Sequence, residues 1–180
     1  SIALEVNGTL KCGIIFNPSK NEIYFAEKNK GAFINDKEIK ASNMKSMKKA
    51  IFANHGPFKN NKNKNAILKD YTNISMLCDN PIRKFGSPAL DLAFVASGKI
   101  DGYWVRKINY WDIAAGLIIA MEAGAKIKLR NSDNSESSIP RNDPKTRPSF
   151  TSPKPRASFL NTHVPSAPIT NKVPPNAIMP

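Results

Sequence analysis

Asp112 heads the longest apolar run of the chain, Ile113 to Ala123, and directly follows Trp111. A carboxylate at the start of a helix is stabilised in its ionised form by exposed backbone N–H groups and the helix dipole, and a fixed anion there can face a metal ion. An acid in that place can equally do no more than cap its helix. Upstream, Gly86-Ser87-Pro88 opens a second apolar segment. Glycine lets the backbone approach a ligand closely, and Ser87 offers a hydroxyl and an N–H; the plain alternative is again a helix cap. Position alone favours the capping reading of Asp112 over metal binding, and leaves Gly86, Ser87 and Pro88 evenly between a helix cap and contact with a small ligand. Asp91, in the middle of an apolar helix, and Asp101-Gly102, with the look of a turn, read as structural. His55 and His163 lie far apart in dissimilar segments and read as structural too.

The elements that must hold these residues follow from periodicity and turn chemistry. Ser1–Val6 and Leu10–Phe16 flank Asn7-Gly8, whose tolerance of positive φ suits a two-residue hairpin turn. Strands over Glu22–Glu27, Ala32–Asn35 and Glu38–Ala41 continue an antiparallel meander, and Lys49–Asn54 reads as a further strand. Ala66–Leu77 is expected to be a helix with Ile67, Tyr71, Ile74 and Leu77 on one face. A short strand over Ile82–Phe85 leads to a helix over Pro88–Val95, capped by Ser87 and ended by Gly98. Gly102–Arg106 reads as a strand, Asp112–Ala123 as a helix closed by Gly124, and Lys126–Leu129 as a last strand. The fold class is α/β (α+β).

The segments Gly86-Ser87-Pro88-Ala89-Leu90-Asp91, Trp111-Asp112-Ile113-Ala114-Ala115-Gly116 and Glu122-Ala123-Gly124-Ala125 resemble the carboxyl-terminal signature of the inositol monophosphatase family of magnesium-dependent phosphatases. Phe16 to Ile39 is similar to that family's Tyr-Asn-Pro and Ala-Glu-Lys-Gly-x-Gly-Ala-Phe-x-Asn segment, so the likeness covers about residues 1–128. The resemblance implies an α-β-α-β-α layered sandwich, Asp112 as a metal ligand, Mg²⁺ as cofactor, and Gly86, Ser87 and Pro88 bordering the leaving alcohol of an inositol or sugar phosphate. It also implies phosphate release without a covalent intermediate, and a possible homodimer. The family's upstream Asp-Pro-Ile/Leu-Asp-Gly-Thr motif and a further upstream Glu are absent. Asp101-Gly102 is preceded by Lys99-Ile100, and Asp143-Pro144 leads into Lys145-Thr146-Arg147, so neither replaces that motif. Phosphate monoesters hydrolyse so slowly unaided that charge must be neutralised at several oxygens, which one carboxylate cannot do. The expectation is a truncated domain with half an active site, inactive alone. Where relatives often carry a Glu that accepts hydrogen bonds from the inositol ring, this chain has Val105, followed by Arg106 and Lys107. Valine cannot accept them; the two basic residues read as a strand edge facing water or as an attractor of anions.

Composition bounds the rest. Ser1, followed by the alternation Ile2, Leu4, Val6, suggests a chain that starts inside a folded domain. Residues 1–129 hold nearly all the periodic apolar pattern and are expected to form a partial domain. Residues 130–180 contain ten of the fourteen prolines and are expected to be a disordered tail. The net charge of +13 invites a nucleic-acid partner. Between Lys40 and Lys69, however, lysine rises together with asparagine and arginine is scarce, and no RNP, zinc-finger or glycine-rich phosphate motif occurs, so a solvated lysine surface is favoured. Cys12 and Cys78 lack metal or disulfide spacing, which fits a reducing cytoplasm, and no apolar run is long enough to span a bilayer. The expected function is a magnesium-dependent phosphomonoesterase acting on a small phosphorylated substrate once complemented. The alternative is a non-enzymatic RNA- or protein-binding remnant of the same fold.

Overall fold

Asn7 and Gly8 adopt φ values of 51° and 71°, and the turn they make sets Val6 opposite Thr9. Strand β1 (Ile2–Val6) thereby pairs with β2 (Thr9–Asn17), and β3 (Glu22–Glu27), β4 (Ala32–Ile34) and β5 (Lys37–Ile39) complete an antiparallel sheet in sequential order. The computed structural model describes residues 1–54, 64–106, 108–130 and 136–137. The proline-rich segment expected to be a tail lies outside them, apart from Arg130 and the pair Glu136–Ser137, as do His55, His163 and Lys107.

A register shift between Leu4 and Glu5 interrupts the side-chain alternation of the first hairpin: Leu4 faces Cys12, while Glu5 faces Leu10. The bulge turns Leu10 into the core among Leu92, Ile113 and Leu117, whereas Ile14 and Phe16 stay on the opposite face. On the core face, Ile15, Tyr24, Ala26 and Ala32 pack against Ala93 and Ala96 of α2 (Pro88–Ala96) and Ala115, Ile119 and Ala120 of α3 (Tyr110–Glu122). Gly13 permits this approach: a Cβ there would lie 2.8 Å from the Ala115 carbonyl oxygen and 2.6 Å from Ile118 Cγ2. Gly116 likewise lets α3 close on Leu92 of α2.

Beyond the helix pair lies a smaller sheet, in which β6 (Phe52–Asn54) runs parallel to β7 (Gly102–Trp104). Ala53 packs with Val95 and Ile100 towards α2. Trp104 meets Phe52 and Tyr71 of α1 (Lys64–Ser75), with ring centroids 6.2 and 6.4 Å away. The order is thus sheet, helix pair, small sheet and α1, a layered α/β arrangement. Among the described residues no helix is long and apolar enough to cross a membrane.

Several boundaries differ from expectation for physical reasons. Met47–Lys49 form a single 3₁₀ turn, so the strand expected from Lys49 starts only at Phe52. Ile82–Phe85 contributes one bridge, Arg83 to Ala53, rather than a strand. Helix α1 ends at Ser75, leaving Met76 and Leu77 81% and 57% exposed, because only Ile67 on this polar helix reaches the core. Helix α3 begins at Tyr110 with Asn109 at the cap, two residues before the expected start. The last strand is limited to Leu129–Arg130, paired with Glu136–Ser137.

Candidate active site

Ser87 has the extended backbone of a helix cap, and its Oγ accepts a hydrogen bond from the Leu90 N–H at 3.4 Å. Pro88 occupies the first turn, where its missing N–H costs nothing. Gly86 sits at φ +89°, a conformation that side chains other than glycine's rarely adopt, with no atom within 4 Å of where a Cβ would be. Its glycine serves the backbone turn, and the space beside it is open.

Asp112 belongs to the first turn of α3 without being its cap. The Asp112 N–H donates to the Asn109 carbonyl at 3.1 Å, and Asn109 Nδ2 donates to Asp112 Oδ2 at 3.4 Å. The carboxylate is half-buried, held at the positive end of the helix dipole and within reach of solvent. Leu92 packs at Gly116 midway along both helices, and the charges of Asp91 and Asp112, which stand in the first turns of α2 and α3, both reach Tyr103, which brings the two helix starts to one neighbourhood. Tyr103 lies between: burial pushes its phenol pKa up, and the charges of Asp91 and Asp112 push it further. One end of the helix pair thus carries Ser87, Asp91, Tyr103 and Asp112.

Two features were not apparent from sequence. Asp91 is fully buried in the first turn of α2, and burial pushes its carboxyl up to about 7. An acid at a core-facing position of the apolar stretch Pro88–Ala96 was the available signal. Arg106 is exposed to water, as one of the two readings expected, and its guanidinium pairs with Asp70 of α1 through Nε and, at 2.9 Å, through Nη2. The hydrogen bond from Arg106 to Asp70 raises the Arg106 pKa further. Asp101 is bound into the scaffold, accepting from Ser42 Oγ and, at 2.7 Å, from the Ile51 N–H.

Whether these residues suit a divalent metal is decided by the donor set. Mg²⁺ takes about six oxygens, with one or two carboxylates beside water and substrate phosphate, and a site for more than one ion needs several acids together. Among the described residues no group of three or more His, Cys, Asp or Glu side chains converges as such a site would need. Asp112 offers one accessible carboxylate; Asp91 is buried and its protonation is favoured. The described residues do not by themselves form a metal centre.

A layered α/β fold with two helices presenting their first turns at one end defines the class of protein, and sequence comparison gives the family. A sequence model of the inositol monophosphatase family matches residues 1–157, and the chain belongs to that family. Inositol-1-monophosphatase of Rhizobium meliloti is 37% identical over 124 residues, covering 69% of this chain and 46% of the relative. Nus factor SuhB of Pasteurella multocida is 35% identical over 127 residues, 71% of this chain and 47% of the relative. The crystal structure of the extragenic suppressor protein suhB from Bartonella henselae superposes with a TM-score of 0.65 at 36% identity, covering 68% of this chain and 46% of that one. The chain spans about half the length of the curated relatives it matches. The family is generally metal-dependent.

Proposed function

We propose that this chain supplies one half of a magnesium-dependent phosphomonoesterase site acting on an inositol or sugar phosphate. The observation that carries the reading is the half-buried Asp112 carboxylate in the first turn of α3, beside the Ser87-capped start of α2, inside the family-matched segment. Asp112 would contribute one metal ligand, with Asn109 fixing its orientation. Gly86, Ser87 and Pro88 would border the leaving alcohol, Gly86 by its open backbone. When bound, Mg²⁺ would neutralise phosphate charge and activate water. The further acidic ligands would come from polypeptide outside the matched half, and residues 1–129 would act as a partial domain. Val105 in place of a hydrogen-bond acceptor argues against strict inositol specificity. Unpaired Cys12 and Cys78 support action in the cytoplasm.

The test is magnesium-dependent phosphate release from inositol 1-phosphate by the purified, folded chain alone. No release is expected. Release that Asp112→Asn abolishes would show the site to be complete in this chain and overturn the half-site reading.

A second reading, binding of RNA or of transcription proteins, draws support from the Nus factor names of several relatives and from the net charge of +13. It predicts binding that weakens steeply with salt and persists in Asp112→Asn.

A further inference from the structure

Helix α1 meets the rest of the fold along one narrow stripe. Ile67 is buried, Asp70, Tyr71 and Ile74 are half-buried, and Leu68, Lys69, Thr72 and Asn73 are exposed. Spacing of three and four residues puts the first four on one side of the helix, where an apolar residue is the ordinary occupant. Asp70 breaks that pattern. Its carboxylate is taken up by Arg106, whose guanidinium donates through Nε to Oδ2 and, at 2.9 Å, through Nη2 to Oδ1. Such a two-pronged contact fixes direction as well as distance. Beside it, the Tyr71 ring lies against Trp104 with centroids 6.4 Å apart. Two adjacent residues of α1 thus hold β7 at its last residue, Trp104, and again two residues beyond it.

The chain beyond Arg106 leads straight to Asp112. Asn109 is only three residues on, a span of about 10 Å at full extension, so a shift of Arg106 is not easily absorbed on the way. The Asn109 carbonyl accepts from the Asp112 N–H at 3.1 Å, and its Nδ2 donates to Asp112 Oδ2 at 3.4 Å. Ile108 packs against the cluster of Ile113 and Leu117, a contact that holds the connection without aiming it, because hydrophobic attraction has no direction. We propose that the Asp70–Arg106 pair is a register clasp through which α1 sets the course of the β7–α3 connection and so aims the Asp112 carboxylate. Asp70 and Arg106 are positioning residues that act through Asn109. A half-buried ion pair adds little net stability but selects one register, since removing either partner leaves the other charge uncompensated. That an aimed Asp112 serves a metal rests on the half-site reading; the aiming itself does not, and it is read without metal or turnover.

The test is nuclear magnetic resonance of the full, isotope-labelled chain in the absence of metal. Asp70→Asn keeps the shape of the side chain and removes its charge. It is expected to move the resonances of the Asn109 side-chain amide and the Asp112 backbone amide by more than those of Ala3 and Ile23 in the large sheet. Arg106→Lys, which keeps the charge and loses the fork, should move them in the same direction by less. The exchange of Asp70→Arg with Arg106→Asp should bring both resonances back toward their original positions, which neither reversal achieves alone. That rescue keeps the test decisive even where a single reversal unfolds the chain. Unmoved resonances in folded Asp70→Asn, or displaced resonances in the folded exchanged pair, would overturn the proposal. Resonances that behave as expected in a chain that never supports phosphate release would leave the clasp standing and refute only the half-site reading.

Discussion

Ile14 and Ile15 are neighbours in β2 with opposite circumstances. Ile15 is 2% exposed and packs in the core with Tyr24 and residues of α2 and α3, while Ile14 is 38% exposed on the face that no described helix covers. The core face sets the small residues Gly13, Ala26 and Ala32 beside Ile15 and Tyr24 and so lets helices approach; the outer face carries the large apolar side chains of Ile2, Leu4, Phe16 and Ile23. The difference teaches that hydrophobic content alone says little about stability. What matters is whether an apolar side chain has a partner surface.

Substitutions on the two faces should separate sharply. The largest effect is expected from Gly13→Val, whose added atoms would meet the α3 backbone at Ala115; a loss of about 3 kcal/mol or complete failure to fold is predicted, read by urea denaturation. Ile15→Ala should cost about 2–3 kcal/mol through lost burial and the cavity left behind, and Ile14→Ala less than about 1 kcal/mol in the same assay. Equal losses at the two positions would mean that the outer face is already packed, and the comparison would fail.

A smaller effect is expected at Asp91, where the helix pair meets the proposed site. Its ordinary pKa of 3.8 rises to about 7 in the folded chain through burial, so the native state keeps a proton that the unfolded state has lost. Stability attributable to this group is therefore full below about pH 4 and declines as pH rises through 7. Asp91→Asn cannot ionise and should flatten that decline, gaining about 2 kcal/mol at pH 8 relative to pH 5 in thermal melts. A parallel pH profile in the two proteins would show that Asp91 is ionised in the native state.

An effect smaller than that at Asp91 belongs to the Glu22 network. Lys99 Nζ donates to Glu22 Oε1 and to the Tyr24 hydroxyl, both at 2.8 Å, and the hydrogen bond to Lys99 holds the Glu22 carboxyl below its usual range. That stability is present above the ordinary carboxylate pKa and is lost as pH falls through the depressed folded value. Lys99→Met should cost about 1 kcal/mol at neutral pH, discounted for the partly exposed lysine, with the loss fading under acid conditions.

Much of this organisation could be read from local chemistry. Asn7-Gly8 specifies its turn because both residues tolerate positive φ, and Ser87-Pro88 specifies a helix start by capping and fixed φ. The reversal at Leu10 was not legible, for a bulge is chosen by what the flipped side chain packs against, here Leu92 and Leu117 across the fold. Likewise, the single bridge at Arg83 and the early end of α1 depend on partners rather than propensity. The resemblance marked Asp112 as the residue to examine, but the Asn109 that orients it lay hidden in a helix start placed two residues too late. The Arg106–Asp70 pair was equally hidden, because it joins β7's end to a distant helix.

The most direct test of the half-site account is phosphate release from inositol 1-phosphate by this chain mixed with the remaining portion of the Rhizobium meliloti relative, in magnesium, with Asp112→Asn as the paired control. The account predicts that neither piece is active alone, that the mixture is active, and that the substitution abolishes that activity while the complex still forms. Activity in the mixture that survives Asp112→Asn would contradict it.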